Sequence, residues 1–187
     1  MPHLTGERIR LREYRQEDLG AMRAWVNDEQ TVGSLSTLYW APQSSSNTAD
    51  ALDRAMHSLG NAAYFVIADR VDDHYLGQID LYAIDWKLRC GTLGMVIGHE
   101  NQRGKGYGAE ALALLLRYSF LTLGLERVEL EVNQENQRAV RCYQKAGFVL
   151  EGVKRHAFYH NGAFCDVAVM SVLAGEWRER EALHTGT

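Results

Sequence analysis

The sequence predicts one α/β (α+β) domain of about seven strands and about four helices, and three observations lead to that class. Apolar periodicities of two and of 3.6 follow one another in the order strand, two helices, three strands, helix, strand, helix, two strands, without an internal repeat. Two turn signals, VDDH at 71–74 and Asn161-Gly162, fold neighbouring strands into hairpins. A glycine-rich loop, RGKGYG at 103–108, joins an apolar strand directly to the best-determined amphipathic helix.

The elements follow in order. RIRLRE at 8–13 alternates charge with Ile9 and Leu11, as a half-buried first strand does. Its arginines Arg8, Arg10 and Arg12 read as a solvated face; no aromatic platform accompanies them as a nucleic-acid surface would require. Glu17 and Asp18 open a helix with the apolar stripe Leu19, Met22, Trp25 and Val26. An irregular polar segment, 27–46, includes Trp40-Ala41-Pro42 and three serines, and can be either a site wall or an exposed connection. The second helix carries Leu52, Ala55, Met56 and Leu59, with Asn47 or Thr48 as its cap and Gly60 as its end.

AYFVIA at 63–68 and YLGQIDLYAI at 75–84 are strands on either side of the first hairpin turn. Asp80 and Tyr82 share a face of the second, where they can receive an amine or simply meet solvent. The strand at 90–98 leads into the glycine loop, and the helix beyond it buries Leu112, Leu115, Leu116, Phe120 and Leu123 before Gly124. RVELEV at 127–132 is a strand, 136–146 a short helix stopped by Gly147, and 148–158 with 164–173 the closing hairpin. Its edge is one on which a second copy could pair, giving a homodimer. Residues 1–175 thus form the domain, and 176–187 are a polar tail expected to fray or lie at the periphery.

At 187 residues with 46% hydrophobic content, the chain can bury one sizeable core. A net charge of −4 excludes a general nucleic-acid binder and mildly favours a cationic partner. Cys90, Cys142 and Cys165 are odd in number and lack C-x-x-C spacing, which excludes a disulfide framework and a structural zinc site and fits a reducing cytoplasm. The start has no apolar h-region and no run of eighteen apolar residues occurs, so neither a signal peptide nor a membrane span is expected.

A glycine turn that opens a helix leaves unpaired N–H groups at the positive end of the macrodipole, which suits a phosphate. A dinucleotide fingerprint needs G-x-G-x-x-G, and a Walker loop needs Lys105 to be followed by Ser or Thr; the chain has Arg-x-x-Gly-x-Gly, with Gly106 after Lys105. The loop resembles the [Q/R]-x-x-G-x-[G/A] signature of the GNAT N-acetyltransferases. LEVNQENQRAVRCYQKAGF at 130–148 resembles the same superfamily through Asn136-x-x-Ala139-x-x-x-Tyr143-x-x-x-Gly147-Phe148. The likeness extends over nearly the whole chain, and its two ends look most like the branch of ribosomal-protein alanine and spermidine acetyltransferases.

That resemblance implies a central mixed, mostly antiparallel twisted sheet with helices on both faces. It also implies acetyl-CoA as co-substrate, no metal, no membrane or direct nucleic-acid binding, and transfer of acetyl to a primary amine, whether a protein N-terminus, a polyamine or another small amine. By the same resemblance Met95, Val96 and Ile97 offer backbone groups to the pantetheine and thioester. Arg103, Gly104, Lys105, Gly106, Tyr107 and Gly108 surround the pyrophosphate, and Asn136 approaches the cofactor arm while also suiting an N-cap. Tyr143 matches the tyrosine that protonates the leaving thiolate, and Glu131 a strand glutamate that acts as base in alanine-acetylating relatives. An amine of pKa about 10.4 needs about 4.6 kcal/mol to be neutral at pH 7, so a base is useful. His156 and His160 are four apart on a strand rather than a helix, which does not suit a metal. Two rivals remain: a GNAT-fold acetyl-CoA sensor without turnover, and a ribosome-associated RNA module built on Arg8, Arg10 and Arg12.

Overall fold

The computed structural model describes residues 3–33, 35, 41–57 and 60–185. Among them one sheet runs through the chain in the order β1-β2-β3-β4-β5-β6-β8-β7. Its strands are β1 (Leu4–Thr5), β2 (Ile9–Arg12), β3 (Ala63–Asp69), β4 (Tyr75–Asp85), β5 (Cys90–Ile97), β6 (Arg127–Asn133), β7 (Val149–His160) and β8 (Ala163–Leu173). Every neighbouring pair is antiparallel except β5 with β6, where the connecting helix forces a parallel crossover. The helices are α1 (Leu19–Val26), α2 (Glu29–Val32), α3 (Ser45–His57), α4 (Tyr107–Arg117), α5 (Gln137–Ala146) and α6 (Ala174–Thr185).

Both sheet faces are covered, and the period of two along β3 shows how. Phe65 and Ile67 enter the core under α4, with Leu112, Leu115 and Leu116, while Val66 and Ala68 enter a second core with Trp25 of α1 and Leu52 of α3. α5 lies on the α4 side and sends Tyr143 into that core.

Eight strands and six helices replace the expected seven and four, and the additions are short or weakly patterned. β1 has two residues and α2 four, too few for a period to register. α6 replaces the frayed tail. Trp177 is buried against Phe120 at a centroid distance of 5.5 Å, and Glu176 accepts the Leu173 N–H at 3.0 Å. One tryptophan thus anchors a helix whose other turns are polar.

Two further expectations change. α3 begins three or four residues early: Ser44 Oγ accepts the Asn47 N–H at 3.0 Å, so Ser44 is the cap rather than Asn47 or Thr48. Leu59 and Trp40 lie outside the described residues. The arginines of β2 are not a plain solvated face, because Arg12 is buried and makes a bidentate pair with Asp18 at 2.9 and 2.8 Å. Arg8 pairs with Glu110, and Arg10 with Asp73. No helix among the described residues is long and apolar enough to cross a membrane.

Candidate active site

β5 and β6 pair at only three positions, Cys90 with Arg127, Gly91 with Val128 and Thr92 with Glu129. Beyond Thr92 each strand keeps its other neighbour, β4 or β8, but not the partner across the crossover. The split leaves the β6-facing backbone groups of residues 93–97 without a ladder, and a cavity of about 940 Å³ opens there. Met95, Val96 and Ile97 line it.

The glycine loop closes one end of this cavity. Gly104 and Gly106 have φ of +77° and +89°, a conformation that a Cβ makes costly, and Gly106 caps α4 from that state. Arg8 ties the loop down, donating to Lys105 O at 2.7 Å and to Glu110 Oε2 at 3.0 Å while its guanidinium stacks 5.5 Å from the Tyr107 ring centroid. Burial alone would raise the Glu110 carboxyl, but the N–H groups of Arg8 and Ile9 and the Arg8 side chain outweigh it and hold it low. At Gly108 a Cβ would come within 3.3 Å of Met95, so the glycine lets α4 start close against β5. Arg103 turns inward to Ile97 O and Thr31 Oγ1.

α5 forms a second wall. Asn136 accepts the Ala139 N–H at 3.2 Å as its N-cap and also lines the cavity. Tyr143, 7% exposed, packs edge-on against Phe148 at 5.7 Å. Burial, followed by Cys142 and Tyr82, pushes its phenol well above the ordinary tyrosine value, so it stays protonated. Arg138, Arg141, Cys142 and Lys145 share the cavity-facing side of α5. Their i, i+3, i+4, i+7 spacing is a stripe that sequence reading can find and here did not.

On the opposite side Asp80 is half-buried in a chain of polar groups. Trp25 Nε1 donates to Tyr75 Oη at 3.0 Å, Tyr75 Oη to Gln78 Oε1 at 3.1 Å, and Gln78 Nε2 to Asp80 Oδ2 at 3.2 Å. Tyr14 Oη and the Phe65 N–H reach Asp80 Oδ1 at 3.3 and 3.4 Å. Burial raises the Asp80 carboxyl and these three donors hold it back, leaving it at about 7. Tyr82, whose phenol is raised by burial and then by Asp80 and Glu131, lines the cleft beside it. Glu131 also lines the cleft but is exposed and paired with Lys154.

All residues singled out from the sequence therefore come together except Lys105, whose backbone carbonyl is held by Arg8 and which is not part of the lining. Trp25, Tyr64, Gln78 and Phe158 join them without any sequence motif. His156 stacks on Phe164 and His160 packs over Gly33; they do not share a metal-sized cluster. Among the described residues such a cluster occurs once, at Asp69, Asp72 and His74 outside the cleft lining.

Residues 8–149 match the family model of the acetyltransferase (GNAT) domain. The chain is 28% identical to the SPbeta prophage-derived N-acetyltransferase YokL of Bacillus subtilis over 97% of each chain. It is 32% identical to the spermidine N(1)-acetyltransferase of Vibrio cholerae over 66% of this chain and 71% of that one. The structure of spermidine N-acetyltransferase from Vibrio cholerae, solved with CoA and spermine, superimposes with a TM-score of 0.80 at 26% identity, covering 91% of this chain and 98% of that one.

Proposed function

Because the chain belongs to the GNAT acetyltransferase family, we propose that it uses acetyl-CoA to acetylate a small primary amine by direct attack on the thioester. The observation that carries this reading is the single cavity in which the split between β5 and β6, the glycine loop, Tyr143 and Asp80 meet. The residues fit the co-substrate: φ-positive glycines and a helix N-terminus suit its pyrophosphate, and the basic stripe of α5 suits further phosphate charge.

In the transfer a C–N bond forms and the C–S bond of the thioester breaks. The ammonium first loses a proton, which Asp80 accepts, since a carboxyl near 7 is half-ionised where an amine must be neutralised. Unpaired N–H groups along residues 93–97 polarise the carbonyl oxygen as negative charge develops. Tyr143 gives its proton to the departing sulfur and is reprotonated, through water, by the proton that the nitrogen sheds as the amide forms. Glu131 is a weaker candidate for the base, because Lys154 already neutralises it. Three free cysteines fit a reducing cytoplasm as the place of action.

Acetyl transfer measured over a panel of amines, peptides and amino sugars tests the reading. CoA release that depends on an amine and yields its N-acetyl product supports it. CoA binding without transfer to any acceptor would replace it by a sensor, and salt-sensitive retention on ribosomes by an RNA module.

A further inference from the structure

A second cavity of about 210 Å³ opens between α1, α3 and the sheet, and Trp25, Tyr64, Gln78 and Asp80 line both it and the cleft. Asp80 therefore stands where the two spaces meet. Apart from it, the small cavity is lined by neutral side chains and by one cation, Arg54 of α3. Arg54 is exposed and has no hydrogen-bond or ion-pair partner among the described residues. Its charge and that of Asp80 act on the same group: the Tyr64 phenol is raised by burial first, then further by Asp80, while Arg54 lowers it.

Among the described residues few carboxylates line the two spaces. Asp80 is the acidic residue of the small cavity, and the cleft adds only Glu131, already paired, against Arg103, Arg138, Arg141 and Lys145. The acids of α3 are exposed and do not line the cavity: Asp53 pairs with His57, and Asp50 lies outside the lining. A polycation lying along this path would bring its remote ammonium groups against Arg54, the cation of the lining.

We propose that the acceptor is a small aminocarboxylate, its amine directed to Asp80 and its carboxylate to Arg54, with Met22, Trp25 and Ala55 against the carbon chain between. This rests on the amine-acetyltransferase reading and names the acceptor class for that site. A space of about 210 Å³ suits such a molecule better than a peptide chain.

Isothermal titration of the CoA-loaded protein tests it, with 4-aminobutanoate, 6-aminohexanoate, neutral alkylamines of matching length, spermidine and an alanine-initiated peptide as probes. Acetyl transfer to the same probes is measured in parallel. One aminocarboxylate should bind tightest, about three- to fivefold better than its neutral match, the scale of an exposed charge pair. Arg54→Gln should bring that ratio to about one, and Arg54→Glu should shift preference toward spermidine. Tightest binding of spermidine or the peptide, or an aminocarboxylate ratio unchanged in Arg54→Gln, would overturn the proposal. Arg54-dependent aminocarboxylate binding without transfer would instead remove the enzymatic reading and leave the ligand class standing.

Discussion

Asp80 and Gly94 stand directly opposite each other across the β4–β5 ladder. A Cβ at Gly94 would come within 3.2 Å of the Tyr82 ring, so the bare position lets that ring lie over β5 beside the carboxylate. The acceptor side thus has one half-buried acid flanked by tyrosines. With its carboxyl at about 7, kcat/KM should rise with pH through that value as Asp80 ionises. Asp80→Asn should lose this limb and about 10²–10⁴-fold in turnover. An unchanged pH profile in the variant would take the proton-accepting role away from Asp80.

The same carboxyl makes stability depend on pH. Its folded value, about 7, lies above the ordinary 3.8, so between these values the folded chain binds the proton more tightly than the unfolded chain does. Stability from this group is therefore full below about pH 4 and is lost as the pH rises through about 7. Asp80→Asn cannot ionise, and its Tm relative to the parent should climb from pH 4 to pH 8. A Tm difference that is flat across that range contradicts the burial of the charge.

Glu131 gives the contrasting case. Exposed and neutralised by Lys154, it has little to gain as a base. Glu131→Gln should lower turnover by less than about tenfold and keep the pH profile, whereas a loss matching that of Asp80→Asn would exchange their roles.

Much of this site was legible in the chain because it depends on local rules. Gly104, Gly106 and Gly147 mark φ-positive turns, Asn161-Gly162 a hairpin, and the Asn136-to-Phe148 run a capped helix with one buried face. What escaped depends on long-range placement. Nothing local to Arg54 says that α3 sets it in the lining of a cavity it shares with Asp80, and nothing local to Arg8 says that it grips a loop 97 positions later. Trp177 was hidden because one apolar residue in a polar stretch has no period.

The grip of Arg8 makes the loop testable. Alanine at 106 must adopt φ of +89°, which costs about 1–2 kcal/mol, and its Cβ would lie 2.9 Å from the Arg8 guanidinium. Gly106→Ala should therefore lower Tm by a few degrees and weaken CoA binding by about tenfold or more. Equal CoA affinity in the parent and this variant would place the pyrophosphate elsewhere.

Tyr143 supplies the last test because its ring and its hydroxyl do different work. The ring fills the core edge-on to Phe148, and the phenol is kept protonated by burial where it lines the cleft. Tyr143→Phe keeps the ring, so thermal stability and CoA affinity should stay within a few-fold of the parent while turnover falls about 10²–10⁴-fold. The loss should shrink for an acyl donor whose leaving thiol has a lower pKa, because a thiolate that departs unaided needs the proton less. That dependence separates proton delivery from packing, since a merely misplaced thioester would slow both donors alike. Near-parental turnover in a folded, CoA-saturated Phe variant would leave protonation of the sulfur to water.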